Sequence, residues 1–138
     1  MGEELLTFRL MKIANYIDGV FVEPQNGKYI DNKKISSIFF GGGTPSLMDP
    51  NIIERILARL SSRCSIENDT EITMEANPTS VELQKFRDYS NIGINRISIG
   101  VQSLDNDDLK NLGRTHTAEL AIKAIGIAQK YFDSVSID

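Results

Sequence analysis

Cysteine is almost missing from this sequence. Cys64 stands alone among 138 residues, so neither a disulfide framework nor a cysteine-only metal site can be built within the chain. A reducing cytoplasm is the compartment that suits it. Long hydrophobic runs are also lacking: no stretch approaches the ~20 apolar residues of a membrane-spanning helix, which argues against membrane insertion. The first six residues, Met1-Gly2-Glu3-Glu4-Leu5-Leu6, carry neither the basic region nor the apolar core of a signal peptide. Positive charge is not in excess either. The net charge is −4, and the mixed stretch from Lys28 to Lys34 is too short for a nucleic-acid face, so small molecules and proteins are the partner classes that remain.

What is present is the composition of one soluble globular domain, 41% apolar and 25% charged, with enough apolar residues for a real core. Leu5, Leu6, Phe8, Leu10, Met11, Ile13, Ala14 and Ile17 predict a first helix over residues 3–17. A polar connection follows to Lys34, with turn signals at Gly19, Pro24, Asn26-Gly27 and Asp31-Asn32 and a short extended piece at Val20-Phe21-Val22. Ile35 to Phe40 reads as a strand covered on both faces. Asp49 and Pro50 then open a helix bearing Ile52, Ile53, Ile56, Leu57 and Leu60.

Strand and helix keep alternating. Glu71–Ala76 predicts a strand, and Thr79-Ser80-Val81-Glu82 has the spacing of a capping box before a helix that runs to about Ser90. Asn95–Gly100 is the next strand, and Ser103 or Asp105 starts a short helix that Gly113 breaks. Thr117 caps a helix rich in small residues, and Phe132–Asp138 reads as a final strand. Four strands separated by helices predict successive βαβ units around a parallel sheet. The whole sequence is one domain, residues 1–34 forming the helix and connection and residues 35–138 the βα units.

In parallel α/β folds, ligands gather at the carboxyl ends of strands. The first strand delivers Gly41-Gly42-Gly43-Thr44-Pro45 there, the second Glu75-Ala76-Asn77-Pro78, the third Gly100-Val101-Gln102-Ser103 and the last Asp138. The glycine loop makes a poor phosphate cradle: a P-loop needs a following Lys-Ser/Thr, and a dinucleotide fingerprint needs spaced glycines. Its position after a buried strand favours a binding loop over a mere turn. Taken singly, Glu75 reads as a solvated carboxylate, and Arg114 as an ion-pair partner of an acid such as Asp107. His116 reads as a surface or capping neighbour, Cys64 as an inert, partly exposed thiol, and Asp105, Asp107 and Asp108 as acids that favour a helix N-terminus.

Taken together, these strand ends carry a resemblance. Ile38-Phe39-Phe40-Gly41-Gly42-Gly43-Thr44-Pro45-Ser46-Leu47, Glu75-Ala76-Asn77-Pro78, Ser98-Ile99-Gly100-Val101-Gln102-Ser103 and Leu112-Gly113-Arg114-Thr115-His116 occur in one order. That set resembles the radical S-adenosylmethionine proteins of the oxygen-independent coproporphyrinogen III oxidase family. The Gly-Arg-x-His segment and Gln102-Ser103-Leu104 look more like its heme-chaperone (HemW-like) branch than the true coproporphyrinogen dehydrogenases. The resemblance runs from about Lys34 to Asp138.

It implies a partial TIM-like (βα) barrel whose strand ends bind S-adenosylmethionine beside a 4Fe–4S cluster. By similarity, Gly42, Gly43 and Thr44 contact the methionine part of that cofactor, while Glu75, Gln102, Arg114 and Asp138 fall on its other contact positions. Heme or a porphyrinogen is the further partner that the family implies. One departure stands out: the family's Cys-x-x-x-Cys-x-x-Cys motif, which holds the cluster, is absent from this sequence. The chain alone is therefore expected to be inactive in radical chemistry, with no catalytic or metal-binding residue of its own. It reads as an internal piece of the fold, incomplete at both ends: a split or truncated gene product or an excerpt, with a complementing chain carrying the cysteines as one candidate partner. Three functions stay open: a heme chaperone, oxidative decarboxylation of coproporphyrinogen III, and a non-catalytic binding remnant.

Overall fold

A computed structural model describes residues 15–17, 20–22 and 34–138. The chain divides into two compact units, Met1–Asp31 and Asn32–Asp138. In the first unit, β1 (Asn15–Ile17) pairs antiparallel with β2 (Val20–Val22), Tyr16 opposite Phe21. The expected extended piece at Val20–Val22 is thus a strand. The expected helix over 3–17 gives way to a strand at residues 15–17, and its remainder lies outside the described residues. The physical reason is local: β-formers flank Asp18-Gly19, a two-residue sequence that favours a tight hairpin.

The second unit is a parallel α/β sheet. Its strands are β3 (Lys34–Phe40), β4 (Ser65–Ala76), β5 (Arg96–Ile99) and β6 (Ser134–Ile137), hydrogen-bonded in sequence order and all parallel. The crossovers carry α1 (Pro50–Ser61), α2 (Ser80–Asn91), and α3 (Asn106–Asn111) with α4 (Ala118–Ala128). Three helix starts are fixed by local chemistry. The Asp49 carboxylate accepts the Asn51 N–H, Asp105 accepts those of Asp107 and Asp108, and Thr117 accepts that of Leu120.

Alternation sorts each strand into two faces. Phe40, Met74, Ile97 and Val135 stand in register on one of them and form the apolar row on which the helices pack. Ile53 and Leu57 come from α1, Leu83, Phe86 and Tyr89 from α2, and Ala121, Ala124 and Ala128 from α4, all buried. The alanines bring the α4 backbone close to the sheet, as the run of small residues predicts. Phe86 and Phe132 meet edge to face, with ring centroids 5.5 Å apart.

Two strands differ from expectation. β3 is not covered on both faces: it pairs on one side only among the described residues, and Phe39 is 57% exposed. A run of apolar residues cannot by itself distinguish a central strand from an edge. β4 starts at Ser65 rather than near Glu71, because it pairs with β3 across an irregularity: Ile35 faces Ile66, but Ser37 faces Glu71. The buried Thr70 closes that bulge, its hydroxyl accepting from Glu67 N–H at 3.0 Å and donating to the Ile35 carbonyl at 3.4 Å. No described helix is long and apolar enough to cross a membrane.

The α3–α4 junction yields a pH prediction. Glu119 has its carboxyl held below the usual carboxylate range, first by its own backbone N–H, then by the Thr117 hydroxyl and the Asn106 amide. Asn106 also accepts the Ala118 N–H at 2.9 Å, which ties the two helices together. The folded value is depressed, so these bonds stabilise the fold fully above the unfolded value and are lost as pH falls through the folded one. A carboxyl-carbon NMR titration of Glu119 is expected to show a midpoint below that of an unfolded peptide, moving up in Asn106→Ala. A midpoint equal to the peptide's would contradict the assignment.

Candidate functional site

The sheet face opposite the helices is polar. Register places Thr73 beside Arg96, and Glu75 beside Ser98, which is itself beside Ser136. Arg96 spans three strands there, donating to the Thr73 and Ser136 hydroxyls at 3.3 and 3.1 Å and lying 3.5 Å from the Glu71 carboxylate. One row toward the carboxyl ends, this floor opens into a cleft of about 200 Å³ lined by Gly43, Thr44, Glu75, Ala76, Asn77, Ser98, Gly100, Gln102, Arg114 and Asp138.

The glycine loop forms one wall. Gly42 and Gly43 have φ of +85° and +67°, and nothing lies within 4 Å of where a Cβ would sit on either. Gly41 is constrained by its neighbours instead: a Cβ there would lie 3.2 Å from the Glu75 carboxyl carbon and 2.6 Å from the Phe39 ring. That close approach lets Glu75 accept the Gly42 N–H at 3.1 Å. The loop's exit is anchored from α2, where Tyr89 donates its hydroxyl to the Ser46 and Met48 carbonyls at 2.6 and 2.8 Å, and Lys85 donates to those of Leu47 and Met48.

The opposite wall comes from β5, β6 and the segment after α3. Arg114 donates through Nη2 to Asn77 Oδ1 at 3.0 Å and to the Gly100 carbonyl at 3.1 Å, rather than to Asp107. Asn77 in turn donates to Thr44 Oγ1 at 3.3 Å, so one chain of bonds links the glycine loop to Arg114. A Cβ on Gly100 would lie 3.4–3.6 Å from polar atoms of Arg114, Asn77 and Gln102, so three polar side chains converge over a bare backbone. Asp138 receives the Ser98 hydroxyl at 3.2 Å from each carboxylate oxygen, and its carbonyl accepts the Gln102 N–H at 2.6 Å.

The strand-end residues singled out in the sequence are therefore neighbours. Gly43, Thr44, Glu75, Gln102, Arg114 and Asp138 line one cleft, and Gly42 reaches it through its bond to Glu75. Sequence reasoning did not select Ser98, which orients Asp138. Its place on β5, two residues before Gly100, was the available signal. His116 is not a surface residue: it is 5% exposed, and its Nε2 bonds the Val101 carbonyl at 3.0 Å.

The lining suits S-adenosylmethionine in kind. Two carboxylates and a guanidinium line it together with glycine backbone, and the volume lies below the ~300 Å³ from which sites enclose a whole drug-sized ligand, so the cleft matches part of the molecule. A 4Fe–4S cluster does not fit these residues. No group of three or more His, Cys, Asp or Glu able to hold a metal occurs among the described residues. Cys64 immediately precedes β4, a 12-residue strand whose other end reaches the cleft, a span of roughly 35–40 Å.

Comparison with known proteins agrees with this architecture. The Radical SAM superfamily profile matches residues 25–137. The chain is 45% identical over 100 residues to the heme chaperone HemW of Escherichia coli K12, covering 72% of this chain and 26% of that protein. It is 42% identical over 107 residues to the bovine (Bos taurus) mitochondrial radical S-adenosyl methionine domain-containing protein 1, covering 77% of this chain and 24% of the relative. The solved structure of coproporphyrinogen III oxidase (HemN) from Escherichia coli, described as a radical SAM enzyme, superposes with a TM-score of 0.67 at 28% identity, covering 76% of this chain and 24% of that one. The chain thus spans about a quarter to a third of the length of the relatives it matches.

Proposed function

Because this chain belongs to the Radical SAM superfamily, we propose that its strand-end cleft binds the methionine and ribose portions of S-adenosylmethionine within a heme-related protein of the HemW type. The observation that carries this reading is charge complementarity. The ligand bears an ammonium, a sulfonium and a carboxylate, and the cleft presents Glu75, Asp138 and Arg114. Glu75 and the backbone of Gly42, Gly43 and Thr44 take the ammonium. Arg114 takes the carboxylate, Gln102 closes over the ligand, and Asp138, oriented by Ser98, accepts from two ribose hydroxyls.

Bound here, S-adenosylmethionine would supply one-electron, radical-generating chemistry to the whole protein. The residues described here bind and orient it. The ligands for the cluster come from residues other than these, in the same polypeptide or in a complementing chain, a reading supported by the greater length of the relatives. Heme is the partner we assign, on the names of the HemW relatives, and the cytoplasm the compartment we assign, on the single cysteine in the sequence. A porphyrinogen is the alternative, favoured by the structural likeness to HemN.

Anaerobic calorimetric titration of the full-length protein with S-adenosylmethionine tests the proposal. Binding is expected, and Glu75→Gln, which keeps the shape but removes the charge, is expected to weaken it about five- to tenfold. No binding by the wild-type protein, or equal binding by the variant, would contradict the assignment.

A further inference from the structure

The backbone at Gln102 is strained. Its φ of +69° is the only positive value at a non-glycine residue among those described, and the Ser103 N–H reaches back to the Val101 carbonyl at 2.9 Å. A positive φ at the centre of an i→i+2 bond is the rare, strained form of γ-turn. Such conformations persist only where the surroundings over-determine them, and they collect at ligand-binding positions. Here the turn carries Gln102 into the cleft, beside Gly100 and Asp138.

Two sets of bonds hold this turn. On the β6 side, the Gln102 N–H donates to the Asp138 carbonyl at 2.6 Å. On the other side, two successive carbonyls of the loop accept from one short segment: Gly100 from Arg114 Nη2 at 3.1 Å and Val101 from His116 Nε2 at 3.0 Å. The Val101 carbonyl is also the acceptor of the γ-turn itself, so the imidazole seals the strained turn at its own hydrogen bond. His116 is 5% exposed and lies just before α4, which is packed on the sheet. A carbonyl can only accept, so Nε2 carries the proton.

We propose that His116 is a positioning residue. Its Nε2–H, locked onto the Val101 carbonyl, holds the strained turn that aims Gln102 into the cleft and ties that turn to the segment bearing Arg114. His116 contacts no ligand in this scheme. The proposal rests on the S-adenosylmethionine reading only for what the positioning serves; the turn itself is tested without ligand.

The experiment uses the full-length protein with His116→Phe, which keeps a planar ring without a donor, and His116→Gln, whose Nε2 lies as many bonds from the backbone as that of histidine. In His116→Phe the Gln102 amide is expected to exchange its hydrogen about tenfold faster, while the Ile97 and Ile99 amides keep wild-type rates. S-adenosylmethionine affinity is expected to fall by about the same factor, and His116→Gln to recover most of both effects. Unchanged Gln102 exchange in His116→Phe overturns the proposal, as does a uniform rise across β5, which would mark a general structural role. Wild-type affinity in a variant whose Gln102 amide does exchange faster overturns the link to the ligand. If the wild-type protein fails to bind S-adenosylmethionine, the proposed function fails, and the exchange data still decide the role of His116.

Discussion

Replacing Phe86 by alanine is expected to destabilise the fold by about 3–5 kcal/mol, the cost of removing a buried aromatic side chain together with the cavity left behind. Phe86 is fully buried between α2 and the sheet, and its edge-to-face contact with Phe132 ties α2 to the segment leading into β6. Domains of this size have roughly 5–15 kcal/mol of total stability, so the variant loses a large part of it. Its urea midpoint should fall sharply with little change in slope. Phe86→Leu, which refills much of the space, should lose less. A loss under about 1 kcal/mol in Phe86→Ala would mean that the helices do not pack on the sheet as described here.

Arg114→Ala is expected to weaken S-adenosylmethionine binding by roughly ten- to a hundredfold, the scale of one charge-assisted hydrogen bond. Two effects combine. The variant removes the cleft's guanidinium, and with it the bonds from Arg114 to Asn77 Oδ1 and the Gly100 carbonyl. Arg114→Lys restores the charge without the planar fork and should recover only part of the loss. Stability should change far less than in Phe86→Ala, because Arg114 lies at the cleft rim and is only partly buried. Calorimetry on the full-length protein reads the effect, and wild-type affinity in Arg114→Ala would remove the guanidinium from the site.

Much of this fold was legible because its signals are local. Asp49-Pro50, Asp105 and Thr117 each announce a helix by the bond that the side chain makes to its own first turn. The parallel order followed from strands spaced by helices, and the strand-end rule brought Thr44, Glu75, Gln102 and Asp138 to one place before any geometry was known, while Arg114, which follows α3, joined them only through the family resemblance. What stayed hidden depends on distant partners. Residues 65–70 join β4 only because β3 runs beside them and Thr70 bridges the bulge. Ile35–Phe40 looks like a central strand in composition, yet leaves Phe39 exposed. His116 lies in a polar, threonine-flanked stretch that reads as surface, and its burial follows from the Val101 carbonyl fifteen residues earlier. Ile17 fits a helical pattern in sequence, yet it pairs with Val20 in an antiparallel ladder.

The central claim is that the strand ends of this sheet hold the amino-acid end of S-adenosylmethionine. An anaerobic crystal structure of the full-length protein with S-adenosylmethionine bound tests it most directly. The account predicts the ammonium against Glu75 and the glycine-loop backbone, the carboxylate on Arg114 and the ribose hydroxyls on Asp138. A ligand bound elsewhere, or one whose adenine occupies the space between Gly43, Glu75 and Arg114, would contradict it.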